Sequence, residues 1–376
     1  MAGGARYVFL VEDDIMARAG EMTGCVLNNG DGLKSPFPWF GGKSKVADVV
    51  WQAFGDVRNY VEPFFGSGAV LLGRPRPFDG IETVNDIDGL LANFWRAIKS
   101  DPDAVAKWAD WPVNENDLHA RHSWLVNIKQ DFVAKLEGDP DFFDAKVAGW
   151  WVWGICAWIG SGWCSGSGPW KVVDAKLVHL GDAGRGVKRQ LVHLRNAGRG
   201  VNRQSVHLGN KGANKILRKD IDGVTSWFIA LSERLHRVRV CCGDWQRVCG
   251  PTPTFLQGLT GVFLDPPYAD TAERDEVYTH DDQQVAHAVA EWAIANGENP
   301  LLRIALCGYE GERAMPERWR EYTWEAQGGY EHQGKEASGN RNKERIWFSP
   351  ACLPLVETQP NMFERKVGQP ELGAVK

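Results

Sequence analysis

Apolar residues recur along the chain in two periods, and the switches between them mark out the elements. Val46, Val49, Val50 and Phe54 fall on one helical face, with Ser44 placed to cap the helix. Tyr60-Val61-Glu62 predicts a short strand, which breaks into the tight turn Phe64-Phe65-Gly66-Ser67-Gly68 before a helix start at Ala69. Ile81–Val84 predicts a second strand ending in Asn85-Asp86-Ile87-Asp88, and Leu91, Phe94, Trp95 and Ile98 form the stripe of the helix after it. Residues 101–149 read as helix-rich, broken at Pro102, Pro112 and Pro140. Further on, Val224, Phe228, Leu231 and Leu235 mark a helix, and Val238–Cys241 a strand running into Gly243-Asp244-Trp245. Gly261–Leu264 is an apolar run stopped by Asp265-Pro266-Pro267-Tyr268. Val285, Val289 and Trp292 predict a helix, Arg303–Cys307 a strand, and Trp319–Ala326 with Glu344–Phe348 a closing antiparallel pair.

Composition narrows the class. A chain of 376 residues, 43% hydrophobic, has room for one to three domains with real cores. Its eight cysteines contain no C-x-x-C pair, which points to reduced thiols in an intracellular protein rather than a disulfide framework or a zinc site. His119 and His122 are expected on the surface, and no metal site is expected. No apolar run approaches ~18 residues, so no membrane span is expected, and Tyr7–Val11 is too short for a signal peptide. Residues 1–34 read as a flexible N-terminal extension, and 356–376 as a disordered polar tail.

The middle of the chain departs from this pattern. Six of the 18 tryptophans lie between Trp150 and Trp170; most read as core, with one or two open to stacking on bases. Leu177–Gln190 and Leu191–Gln204 are then identical at 11 of 14 positions, and Ser205–Arg218 begins a degraded third copy. Each Val-His-Leu suits a strand and each Ala-Gly-Arg-Gly a turn, so a small hairpin array or long loops are expected. The net charge of the whole chain is −5, yet residues 171–219 hold twelve Lys/Arg against Asp174 and Asp182. A segment at +10 on a body at −15 is either a phosphate-binding footprint or a solvated insertion. Arg185, Lys188, Arg189, Arg195, Arg199 and Arg203 are its candidate DNA contacts.

Candidate chemistry gathers at strand ends. Asp265 and the Pro266 carbonyl can accept both hydrogens of an exocyclic amine, which steers the nitrogen lone pair toward an electrophile. Pro267 stiffens the exit, and the Tyr268 ring can stack on the heterocycle, the arrangement needed to methylate a flipped base. The plainer reading is a strand ended by prolines with a capping Asp. Gly66 and Gly68 allow backbone N–H groups to face a ligand at a helix start. Leu71 stands where the dinucleotide fingerprint wants its third glycine, so a cofactor without a pyrophosphate fits better than NAD. Asp86 lies about 20 residues beyond the turn, the spacing of a ribose-binding acid, and Asp88 reads as a helix cap.

Four short motifs now stand in one order: Pro38-Trp39-Phe40-Gly41-Gly42-Lys43, Val61-Glu62-Pro63-Phe64-Phe65-Gly66-Ser67-Gly68, Val84-Asn85-Asp86-Ile87-Asp88 and Asp265-Pro266-Pro267-Tyr268. In this order the chain resembles the Dam-type DNA adenine N6-methyltransferases, over residues 36–100 and 224–350, and the stretch Asn340–Pro350 looks like phage-borne members. The resemblance implies an α/β fold: a doubly wound, Rossmann-like, S-adenosyl-methionine-dependent sheet formed by 35–100 and 223–355. An inserted target-recognition region, 101–222, would grip double-stranded DNA. It implies cofactor contacts from Trp39, Lys43, Glu62, Phe64, Gly66, Gly68, Asp86, Asp244, Trp245 and Asp265, and base contacts from Asp265, Pro266, Pro267 and Tyr268. It also implies a cytoplasmic enzyme (in the host cytoplasm if phage-encoded), in some cases paired with a restriction nuclease. Cytosine N4-methylation and a non-catalytic DNA-binding protein are the alternatives; Asp265, where N4 enzymes more often have Ser, favours adenine.

Overall fold

The computed structural model describes residues 33–39, 43–76, 78–139, 141–158, 163–164, 170–173, 176–179, 222–267, 280–324 and 344–355. The chain divides into the units Met1–Leu33 and Lys34–Lys376, and every element below belongs to the second. The expectations for residues 1–34, apart from the last two, and for 356–376 fall outside the described residues.

Helix α1 (Ala47–Phe54) buries Val50, Trp51 and Phe54. It starts two residues later than Ser44 would place it, because the Lys43 carbonyl accepts from both Val46 and Ala47 N–H at 3.1 Å. Ser44 therefore does not cap it; the cap position is Val46, with no side-chain bond. Strand β1 (Asn59–Glu62) is wholly buried, and the short α2 (Ala69–Leu72) follows the glycine turn. Strand β2 (Ile81–Asp86) leads into α3 (Gly89–Ser100), where the Asp88 side chain accepts from Leu90 N–H as a cap should. The stripe Leu91, Phe94, Trp95 and Ile98 is completely buried. Helices α4 (Pro102–Ala109), α5 (Glu115–Gly138) and α6 (Ala145–Ala157) each begin on an acid or amide whose side chain accepts a backbone N–H: Asp101, Asn114 and Asp144. Pro102 thus starts a helix rather than only ending one, since its missing N–H costs nothing at the first position.

Strands β3 (Trp170–Val173) and β4 (Lys176–His179) form a separate antiparallel hairpin. The first Val-His of the repeats is thus strand, paired with residues before the repeat; the remaining copies lie outside the described residues. Helix α7 (Asp222–Leu235), β5 (Val238–Cys242), the short α8 (Gln246–Cys249), β6 (Thr260–Leu264), α9 (His280–Asn296), β7 (Leu302–Tyr309), β8 (Arg320–Thr323) and β9 (Glu344–Phe348) complete the order.

Seven strands form one sheet in the order β5-β2-β1-β6-β7-β9-β8. The first five are parallel and β9 joins antiparallel to both β7 and β8. This is an α/β fold with a mixed sheet, of the Rossmann-like kind expected. The chain steps outward from β1 through β2 to β5, then returns to place β6 on the other side of β1. That reversal is a topological switch point, and the carboxyl ends of β1 and β6 border its crevice. On one face Val61, Val262, Leu264, Val289, Ile304 and Trp347 share a core. Elsewhere Phe37 packs edge-on against Phe94 and Trp151 with centroids 5.4 and 5.1 Å away.

Trp151, Trp153, Trp158 and Trp163 are buried, as expected of most of this group; Trp150 is half-buried, the Trp170 side chain lies outside the described residues, and the exposed indoles among the described residues are Trp111 and Trp124. One sequence expectation changes here. His122 is not on the surface but buried, stacked on Trp158 at 4.6 Å and 10°, with its Nδ1 accepting from Cys164 N–H. An i, i+3 pair of histidines reads as polar, but both rings meet Trp158: His119 edge-on at 6.4 Å and half-buried, His122 stacked beneath it and buried. Burial, with His119 beside it, lowers the His122 pKa from 6.5 to about 4. The unfolded chain therefore binds the proton more readily. Stability should be full above pH 6.5 and fall as the pH drops from about 6.5 toward 4. Urea midpoints at pH 7 and pH 4.5 are expected to differ less in His122→Phe, which keeps the stack and cannot titrate; an equal difference in both proteins would remove His122 as the cause.

The seven described cysteines are unbridged. Among the described residues no group of three or more His, Cys, Asp or Glu could hold a metal, and no helix is long and apolar enough to cross a membrane.

Candidate active site

The chain leaves β1 at Glu62 and turns sharply before α2. Gly66 and Gly68 sit at φ +47° and +69°, where a side chain is strained. A Cβ on Gly66 would lie 2.5 Å from the Trp39 indole nitrogen, so glycine lets that ring close over the turn. The turn is pinned from all sides. Phe65 N–H donates to the Asn85 carbonyl at 2.9 Å, and the Trp95 indole donates to the Gly66 carbonyl at 3.0 Å. Gly66 N–H donates to Asp86 and Gly68 N–H to the Phe65 carbonyl. Both glycine N–H groups are thus used within the protein, which corrects the expectation that they face a ligand.

Asp86 ends β2 as that turn's brace. Its Oδ2 accepts from Gly66 N–H at 3.0 Å and its Oδ1 from Asp88 N–H at 2.9 Å. Burial raises its pKa to about 6 in spite of these bonds. Its neighbour Asn85 donates to the carbonyls of Pro63 and Gly243, tying the loops after β1 and β5 together.

Trp39, Lys43, Glu62, Phe64, Gly66 and Asp265 line one cleft at the switch point, together with Phe65, Ser67 and Phe263. It encloses about 20 Å³, little more than one water, so a larger ligand has to widen it. Gly68, Asp86, Asp244 and Trp245 are not in its lining. Asp244 is exposed and accepts from Gln246 N–H. Trp245 is buried 6.3 Å from Phe64 and borders a separate groove of about 520 Å³ between α8 and α9.

The charged heart of the cleft is Lys43. Its Nζ lies 2.9 Å from Asp265 Oδ2 and 3.9 Å from Glu344 Oε2. Burial alone would lower the Lys43 pKa, but the Asp265 and Glu344 carboxylates, with Cys307, raise it, so the ammonium stays charged. Glu62 lies close by, its Oε2 accepting from the Tyr60 hydroxyl at 2.8 Å. Burial holds Glu62 well above the usual carboxylate range, and Asp265 adds to this. The Cys307 thiol on β7 is pushed up by the same burial and by Asp265. Asp265 is half-buried, Pro266 is buried, and Tyr268 lies outside the described residues, as do the six candidate DNA contacts from Arg185 to Arg203.

Glu344 is the residue that sequence reasoning missed. It lies within the stretch Asn340–Pro350, from which no site residue was expected, and it is brought to Lys43 by the pairing of β9 with β7, where Glu344 stands opposite Tyr309. One signal was available: Glu344-Arg345-Ile346-Trp347-Phe348 is a buried strand opening on two charged residues, which a strand seldom hides without partners.

Chemically, a lysine-tethered carboxylate beside a buried carbonyl end, in a dry crevice, suits an amine that must be held by its hydrogens. The comparisons agree. Residues 39–138 match the family model of the D12 class N6 adenine-specific DNA methyltransferase, which indicates an adenine-specific DNA methyltransferase. The match takes in Trp39, Lys43, the glycine turn and Asp86, and continues through α4 and α5. No curated protein matches the chain.

Proposed function

We propose that this DNA adenine methyltransferase moves a methyl group from S-adenosyl-methionine to the N6 amino group of an adenine flipped out of the duplex, at the Asp265 cleft. The observation that carries this reading is Asp265 itself: a carboxylate fixed by Lys43 at 2.9 Å, at the carboxyl end of β6 and at the switch point of the sheet.

The residues fit such a cofactor. Trp39, Phe64 and Gly66 line the same cleft as Asp265, and the missing side chain at Gly66 lets the Trp39 indole come within reach of the backbone there. Leu71, where a dinucleotide site wants glycine, is packed fully into the core, which suits a ligand lacking a pyrophosphate. Trp39, Phe64, Gly66 and Gly68 are assigned to its methionine end, Asp86 to its ribose, and Asp244 with Trp245 to its adenine. When bound, S-adenosyl-methionine supplies an electrophilic methyl group on a sulfonium sulfur.

The chain's own residues then hold and orient the acceptor. Asp265 and the Pro266 carbonyl accept the two N6 hydrogens, which turns the nitrogen lone pair outward. Pro267 stiffens this segment, and the Tyr268 ring is assigned to stacking on the base. So oriented by Asp265 and the Pro266 carbonyl, the nitrogen would face the methyl group that the bound cofactor would supply, the cofactor leaving as its neutral thioether. The amine proton leaves to Asp265 or to solvent. Burial and the neighbouring Asp265 both raise the Glu62 pKa, so its charge is disfavoured beside Asp265. Positioning and electrostatics supply the rate.

Catalysis is assigned to 35–100 with 223–355, and DNA contact to the region between. The +10 charge of residues 171–219 supports Arg185, Lys188, Arg189, Arg195, Arg199 and Arg203 as phosphate contacts. The test is the product. Purified protein, unmethylated plasmid and methyl-labelled S-adenosyl-methionine are expected to give N6-methyladenine in the nuclease digest. N4-methylcytosine alone would show the other amine as the target, and no label in DNA would overturn the reading.

A further inference from the structure

Lys43 stands between two buried carboxylates, and only one of them holds it. Asp265 Oδ2 lies at hydrogen-bond distance, 2.9 Å, while Glu344 Oε2 at 3.9 Å does not. Glu344 is 7% exposed, and its Oε2 has no hydrogen-bond partner among the described residues. A buried carboxylate oxygen left without a donor is costly, and its presence needs a reason. Its strand cannot easily carry it elsewhere, since all five residues of β9 are buried, Glu344 is paired with Tyr309 of β7, and the four residues after it are paired with both β7 and β8.

The chemistry supplies the reason. Asp265 cannot give its oxygen fully to an amine while that oxygen is committed to an ammonium. Of the two acids Asp265 is the outer, with a side chain 21% exposed against 9% for Glu344. A shift of about 1 Å along the flexible lysine stem brings Nζ into bonding range of the inner acid. Among the described residues, those facing the ammonium include Asp265 after β6, Glu344 on β9, Cys307 on β7 and the Trp324 ring at 5.8 Å.

We propose that Glu344 is a positioning residue: it takes over the Lys43 ammonium when Asp265 turns to the target amine, so that Asp265 is released without stranding a buried charge. This rests on the methyl transfer proposed above. Lys43 stays protonated throughout, so what is exchanged is a partner and not a proton.

Glu344→Gln keeps the shape and removes the charge. Its kcat for DNA methylation is expected to fall by about 10- to 100-fold, the scale of a misplaced reacting group. The dissociation constant for S-adenosyl-methionine, read by calorimetry, is expected to stay within about twofold, because the cofactor gains nothing from Glu344. Glu344→Asp keeps the charge but withdraws it, and its kcat should fall between the other two. A purely structural role would lower the melting temperature and the fraction of binding-competent protein, yet leave kcat per binding site unchanged; that outcome overturns the proposal. If Glu344→Gln does not fold, Glu344→Asp decides: reduced kcat supports the exchange and wild-type kcat overturns it. The wild-type protein in the same assay separates the two readings. No N6-methyladenine from it sinks the methyl-transfer reading and the Glu344 role together, whereas an active wild type beside an undiminished Glu344→Gln sinks only the latter.

Discussion

Asp265→Ala is expected to lower kcat by about 10²–10³-fold, the loss seen when a preorganised partner of the reacting group is removed. The variant deletes the proposed acceptor of the target amine and also the bonded anion of Lys43. Breaking a buried pair on one side generally costs about 3–5 kcal/mol, because the remaining charge is stranded. Here the cost should be at the low end or below it. Asp265 is part-exposed, and Glu344 already lies 3.9 Å from the same nitrogen and can take it up. The protein should therefore stay folded and still bind cofactor. Asp265→Asn should be nearly as inactive, since an amide that turns its oxygen to Lys43 presents hydrogens, not a lone pair, to the amine. Single-turnover methylation with a melting curve on the same sample measures both effects. A kcat within tenfold of wild type, in folded protein, would remove Asp265 from the chemistry.

Much of the sheet was legible because its signals are local. The run Gly261–Leu264 is apolar and ended by two prolines, and it is a buried strand. The stripe Leu91, Phe94, Trp95 and Ile98 and the cap at Asp88 lie within about three turns of one helix, and all are found. What was not legible depends on distant partners. Nothing near His122 announces that Trp158 will stack on it, and nothing near Glu344 announces Lys43. The glycine turn shows both sides of this. Its position follows from Gly66 and Gly68, and Gly68 N–H closes the turn locally on the Phe65 carbonyl, but Gly66 N–H goes to Asp86, a partner that the pairing of β1 with β2 brings there. Ser44 failed as a cap for a smaller reason: the first turn of α1 is closed by a backbone carbonyl, which any residue at position 43 would supply. The basic repeats are legible as charge alone, and their described part is limited to the strand at Lys176–His179.

The largest loss of stability is expected from an acid outside the cleft. Glu82 on β2 accepts from Arg74 Nη1 at 3.0 Å and from Arg234 Nη1 and Nη2 at 2.6 and 2.8 Å. All three side chains are no more than 3% exposed. The arginines are held further: Arg74 donates to the Val57 carbonyl, Arg234 donates to the Leu71 carbonyl, and both lie over the Phe78 ring. Glu82 thus binds β2 to the segment after α2 and to α7, directly behind the glycine turn. Replacing it by Gln leaves two buried guanidinium groups facing each other with no anion between them. The expected cost is about 3–5 kcal/mol, as for any buried pair broken on one side. The contrast is the exposed pair Arg318–Glu298, with side chains 71% and 58% accessible. There Glu298→Gln should cost less than about 1 kcal/mol, because water already screens the pair and ordering two long side chains offsets most of the attraction. Urea unfolding of both variants makes the comparison directly. Equal shifts for Glu82→Gln and Glu298→Gln would mean that the buried triad is no firmer than a surface pair and that packing, not charge, holds α7 to β2.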